Sequence, residues 1–205
     1  MDVSTSAGWM LVVAAVTFFG VGFGLAATNR DLASVGAAPT IERLSVISRN
    51  RMAWRGVVSA FIVAFAASAA GFGLLAEVAG RAGQGVLATI AFILYVLAVA
   101  VFLCGLAFQI GILRHLHEDP EGAAPSALMP LHWWAESMYQ VFMVLAYAAV
   151  ALLGWASLAG SILPSWTGWV SMTMGVIGLG TFVVGKPKLG DLVVSDLPLG
   201  STSGG

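Results

Sequence analysis

From Ser137 to Gly185 the chain contains no Asp, Glu, Lys or Arg. A helix that crosses a bilayer needs about 20 mostly apolar residues, so this run is long enough for two crossings. Leu163-Pro164-Ser165 divides it, because proline disfavours helix in the residue before it. The division predicts spans over residues 133–161 and 165–184. Three further apolar stretches lie upstream: 7–27, 56–76 between Arg55 and Glu77, and 86–113. The last charge-free stretch opens earlier, at Ala82, but Gly83-Gln84-Gly85 reads as a turn outside the hydrocarbon. The expected fold class is an all-α integral membrane protein, a bundle of five transmembrane helices forming one domain over residues 1–185. A flexible cytoplasmic tail, 186–205, follows.

Composition agrees with that reading. Hydrophobic residues make up 59% of the chain and charged residues 9%, against about 25% charged in a soluble domain. Such a balance excludes both an ordinary soluble domain and a disordered chain, which is poor in apolar residues. The formal net charge of −1 gives no global basic field, so nucleic acid is not an expected partner. Cys104 is the one cysteine, which leaves no intramolecular disulfide.

Lys and Arg in short loops set orientation. Five spans place Arg30, Arg43, Arg49, Arg51, Arg55, Arg114, Lys186 and Lys188 on one side and Arg81 alone on the other. The N-terminus is therefore expected outside and the C-terminus in the cytoplasm. The first span does not read as a cleaved signal peptide, because its leading residues hold Asp2 and no Lys or Arg. The Ala/Gly/Val-rich make-up suggests a bacterial inner membrane. Trp9, Trp54, Trp133, Trp134, Trp166 and Trp169 fall near predicted ends, at headgroup depth. Trp155 lies deeper and calls for a packing reason.

The loop 28–52 contains a second kind of helix signal. Thr40 is a plausible N-cap, and Ile41, Leu44 and Ile47 recur at three-residue spacing with Glu42, Arg43, Arg49 and Arg51 around them. This predicts a short amphipathic helix on the cytoplasmic leaflet. Arg43, Arg49, Arg51 and Arg55 are then candidates to touch anionic lipid headgroups, or simply an ordinary positive-inside connector.

The start of the fourth span offers the best chemical constellation. His132, Glu136, Tyr139, Gln140, Met143 and Tyr147 recur at three- and four-residue spacing on one helical face. A carboxylate near hydrocarbon is costly and faces a partner or cavity. Gln109, Arg114 and His115 at the end of the third span are candidate partners. A cluster of Glu136, His132, Gln140, Tyr139, Gln109 and Arg114 could hold a quinone, a lipid headgroup or a relayed proton. The plainer alternative is an ion pair at headgroup level.

His115, His117 and His132 are weak metal candidates. His115 and His117 are expected past the end of the third span, in a proline-rich loop with no defined metal spacing. Axial histidines for a haem should project from within helices. Cys104 reads as an inert buried thiol. Both lysines follow the last span, which excludes a retinal Schiff base. No nucleophile elbow or phosphate loop is present.

Small residues at helix-packing spacing are common: Gly20 with Gly24, Ala67 with Gly71, and Ser171 with Gly175. Gly168, Gly175, Gly178 and Gly180 leave the fifth span thin, open to a protein partner, a lipid or an isoprenoid chain.

Ile162-Leu163-Pro164-Ser165-Trp166-Thr167-Gly168-Trp169 resembles the I-L-P-x-W-x-G-W turn of several uncharacterised bacterial multi-pass membrane protein families. The resemblance implies an all-helical bundle in which this turn joins two late spans. It implies no activity and no functional residue.

The leading functional expectation is a non-catalytic, membrane-embedded accessory or ligand-binding subunit of a larger inner-membrane complex. Its partners would be membrane lipids and other membrane subunits, or copies of itself, with lipid or quinone as a possible bound molecule. The first alternative is a small-solute, proton or lipid transporter working through Glu136. In the outer half, Ser68, Thr89 and Tyr95 offer it little polar lining. A metal-dependent membrane enzyme is the remaining alternative, and three histidines make a thin basis for it.

Overall fold

A computed structural model describes residues 3–24, 46, 49–118 and 129–184. Every regular element among these is helical. Helix α1, Val3–Ala15, continues directly as a π-helical stretch, Val16–Phe23. Helices α2 (Arg51–Arg81), α3 (Gly85–Glu118), α4 (Met129–Gly160) and α5 (Ser165–Val183) follow. The interfacial helix expected around Arg43 falls mostly outside the described residues, as does the tail 186–205. Residues 46 and 49 are helical, and the Asn50 side chain donates to the Val46 carbonyl where that helix meets α2.

Among the described residues, four helices are long and apolar enough to cross a membrane: Val3–Gly20, Met52–Arg81, Gly85–Ala107 and Trp133–Gly160. The fifth expected span, α5, is not among these four. That helix has 19 residues and carries no charge. Its glycines, hydroxyls and tryptophans nevertheless dilute its apolar character.

Two helix ends also differ from expectation. Helix α3 runs on to Glu118, so the backbones of Arg114, His115 and His117 are helical and not part of a loop. Charge ends an apolar run, but it does not interrupt the hydrogen-bond ladder. Helix α4 starts at Met129, with Pro130 in its first turn, where a missing N–H breaks nothing. His132 therefore lies inside the first turn.

Each helix packs against its sequence neighbours in an antiparallel row. Phe18 meets Phe61 and Phe65, while Gly71 faces Leu11 and Ala7. Gly73 faces Phe92, Phe65 meets Phe102, and Gly105 faces Met138. A Cβ at Gly154 would lie 2.5 Å from the Met172 amide nitrogen, and one at Gly175 would lie 2.6 Å from that of Ala151. The backbones of α4 and α5 therefore touch. Among the described residues, a Cβ at Gly20 or Gly24 would meet nothing beyond its own stretch of helix.

Two tight turns close the same end of the row. After α2, Gln84 N–H bonds the Ala79 carbonyl and Gly83 N–H bonds the Gly80 carbonyl, with Gly83 at φ +81°. After α4, Ile162 N–H bonds the Ser157 carbonyl and Ser161 N–H bonds that of Leu158, with Ser161 at φ +49°. Both are Schellman caps, in which a left-handed residue ends the helix. Glycine takes that conformation freely, whereas serine holds it under strain.

Candidate functional site

Among the described residues, the row is open on one side. Helix α1 packs on α2, and α4 packs on α3, while α2 approaches α4 lightly. Between the α1 and α4 walls lies a groove of about 590 Å³. Such a volume falls in the range of small-molecule sites, about 300–1,000 Å³.

Aromatic rings form the floor. Phe65, Phe102 and Phe142 make a triangle with centroid separations of 4.6, 5.3 and 4.8 Å. Tyr139 extends it, 5.9 Å from Phe142. These spacings suit offset and edge-on ring packing. The α1 wall is built partly from its π-helical stretch, which supplies Phe18 and Phe19. Extended π-helix is rare and recurs at functional sites.

One polar spot interrupts the apolar floor. The Ser68 hydroxyl donates to the Phe65 carbonyl at 2.9 Å and lies 2.7 Å from the Tyr95 hydroxyl. Tyr95 is buried, and its ring stacks on Phe72 with centroids 4.0 Å apart and planes 10° apart. Stacking fixes the direction of its hydroxyl. Both residues line the groove, together with Tyr139 and Tyr147.

The cluster expected around Glu136 is only partly brought together by the described residues. Tyr139 is in the groove wall. Glu136 is partly buried, one turn earlier on the same face of α4. Gln140 is exposed, turned away from the lining stripe of Tyr139, Phe142, Met143 and Ala146. The packing of Gly105 against Ala135 carries the Gln109 backbone to the level of the first turn of α4. The side chains of His132, Gln109, Arg114, His115, His117 and Arg51 lie outside the described residues, as does all of Arg43. Arg49 and Arg55 are exposed at the α2 start. Among the described residues, no group of three His, Cys, Asp or Glu could hold a metal. Cys104 is exposed on the outer face of α3, contrary to the buried thiol expected. Arg81 pairs with Glu77 at 2.6 Å on the exposed surface of α2.

Sequence reasoning missed the Ser68–Tyr95 pair as a unit. The signal was present: the two residues lie at near-equal distances on either side of the 82–84 turn. An antiparallel hairpin therefore brings them to one depth. The open side of the row left no comparable trace.

No protein family, curated protein or solved structure matches the chain.

Proposed function

We propose that this chain is a multi-pass membrane protein that holds an apolar molecule, a lipid or quinone, in the groove between α1 and α4. In this reading it is a non-catalytic ligand-binding or accessory subunit in a bacterial inner membrane. All five helices cross, with the N-terminus outside and the C-terminus in the cytoplasm. The observation that carries the reading is the groove itself: ligand-sized, ring-lined and open sideways, where the bilayer would be.

Helix lengths support the placement. Helix α4 has 32 residues, about 48 Å at 1.5 Å per residue, against a hydrocarbon core of about 30 Å. Centred, it projects about 9 Å at each end. Glu136 then lies at the hydrocarbon boundary, and residues 139–150 of the groove wall straddle the midplane. Trp155, 59% exposed, reaches the opposite interface, which removes the need for a packing role. Helix α5 has 19 residues, about 28 Å, and so just spans the core.

The test is native mass spectrometry of the protein released gently from its own membranes. The expected result is this chain at fixed stoichiometry with other subunits, carrying a bound lipid or quinone mass. A bare chain without partner or ligand overturns the reading. Transport through Glu136 is the second reading, favoured by its place on the groove face of α4. Glu136→Gln would then abolish proton or solute flux in reconstituted vesicles while leaving partner binding intact.

A further inference from the structure

Proton counting at the Ser68–Tyr95 pair sharpens the ligand, and this step rests on the groove being a ligand site. Ser68 has one hydroxyl proton, and it is given to the Phe65 carbonyl. Keeping that bond and the 2.7 Å contact together requires Tyr95 to donate, at a distance that by itself suits either direction. Both donors are spent inside the protein. What remains is lone-pair capacity, chiefly on the Tyr95 oxygen. The spot accepts a hydrogen bond from a ligand hydroxyl as it stands. To donate to a ligand carbonyl, Tyr95 must release Ser68, which leaves one internal bond unmade.

We infer that the groove selects a hydroxylated aromatic head with an apolar tail, a quinol in preference to the matching quinone. Three features agree with that class. The floor is made of rings, which match a planar head. A volume of 590 Å³ lies within the range of small-molecule sites, about 300–1,000 Å³, enough for a substituted ring and a short chain. The opening between α1 and α4 lets a longer tail continue into the bilayer. The hydroxyl is met within apolar surroundings, where a polar group left unpaired is costly and discrimination is strong.

The pair also ties α2 to α3, as interhelical hydroxyl bonds do in membranes. A purely structural role predicts no preference between ligand redox states, and that separates the two roles. The experiment is anaerobic native mass spectrometry of the detergent-solubilised protein titrated with decylubiquinol and, separately, decylubiquinone. Wild type is expected to bind the quinol about fivefold more tightly, the factor supplied by one net hydrogen bond. Tyr95→Phe keeps the ring on Phe72 and is expected to bind the two forms equally. Ser68→Ala frees the Tyr95 proton, so the hydroxyl can donate as well as accept and the preference for the quinol is expected to disappear. This second variant keeps the inference testable if Tyr95→Phe fails to fold.

Equal binding of both forms by wild type overturns the hydroxyl selection and leaves the groove as a ligand site. A preference that survives Tyr95→Phe also overturns it. Retention of neither probe, with no co-purified lipid on the protein, overturns the ligand reading as well.

Discussion

Adding one methyl group at Gly154 tests the seam between α4 and α5. The new Cβ would lie 2.5 Å from the Met172 amide nitrogen, 2.8 Å from the Gly168 carbonyl oxygen and 3.0 Å from the Met172 Cα. Comfortable separations begin near about 3.5 Å, so the overlap is about 1 Å. All three obstacles are backbone, and no side chain can swing away. Helix α5 must back off, and a gap of that size forfeits about a quarter to a half of each dispersion well along the contact. Overpacking of this kind costs about 1–3 kcal/mol, and backbone on every near side argues for the upper half. Alanine also gains about 0.5–1 kcal/mol over glycine in a helix. Gly8→Ala is the control, since a Cβ there meets nothing within 4 Å and shows that gain alone. The difference between the variants isolates the overpacking at about 2–3 kcal/mol. Equilibrium unfolding in mixed micelles titrated with dodecyl sulfate, followed by circular dichroism, measures it. Equal stability of the two variants within about 0.5 kcal/mol would refute the tight seam.

Further expectations can be checked in the same preparation. Ser161→Gly relieves the left-handed strain at φ +49° and should stabilise by about 1 kcal/mol in that titration. Cys104, exposed at mid-α3, should resist maleimides in intact membranes, because a thiol facing hydrocarbon does not ionise to the reactive thiolate, and should react once the protein is denatured. Rapid labelling by a charged maleimide in intact membranes would contradict a spanning α3. With Cys104 replaced by alanine, Ala82→Cys in the α2–α3 turn should be labelled from outside intact cells; protection there would invert the orientation. A phosphatase fused after the last residue should stay inactive in the cytoplasm if α5 crosses. Activity of that fusion would put both termini on one side, leaving four crossings.

The helices were legible in the sequence because charge and proline mark the limits of apolar runs. Helix ends were less so. The helical ladder of α3 continues through Arg114 and His115, and Pro130 sits where a first turn tolerates it. Spacing alone does not say which face meets a neighbour, and among the described residues Gly20 and Gly24 meet none outside their own helix. The seam instead uses Gly154, Gly168 and Gly175. Of the α4 face singled out, Tyr139, Met143 and Tyr147 reached the groove wall, because the stripe was read at the right period. The groove itself was hidden. It arises because α1 packs on α2 without closing onto α4, a property of how helices are arranged and not of any one helix. Phe18, Phe65 and Phe102 read as ordinary apolar residues until that arrangement brings their rings to one space.

The antiparallel row has a consequence for biosynthesis. Each helix after the first leaves the ribosome with a contact surface already delivered by the helix before it. Chains grow at about 5–20 residues per second, so each hairpin has seconds to form before the next arrives. Among the described helices the main contacts join neighbours in sequence, which favours fast assembly. The last helix adds a surface to a structure already standing, so a nascent chain halted before Ser165 would already contain both walls of the groove.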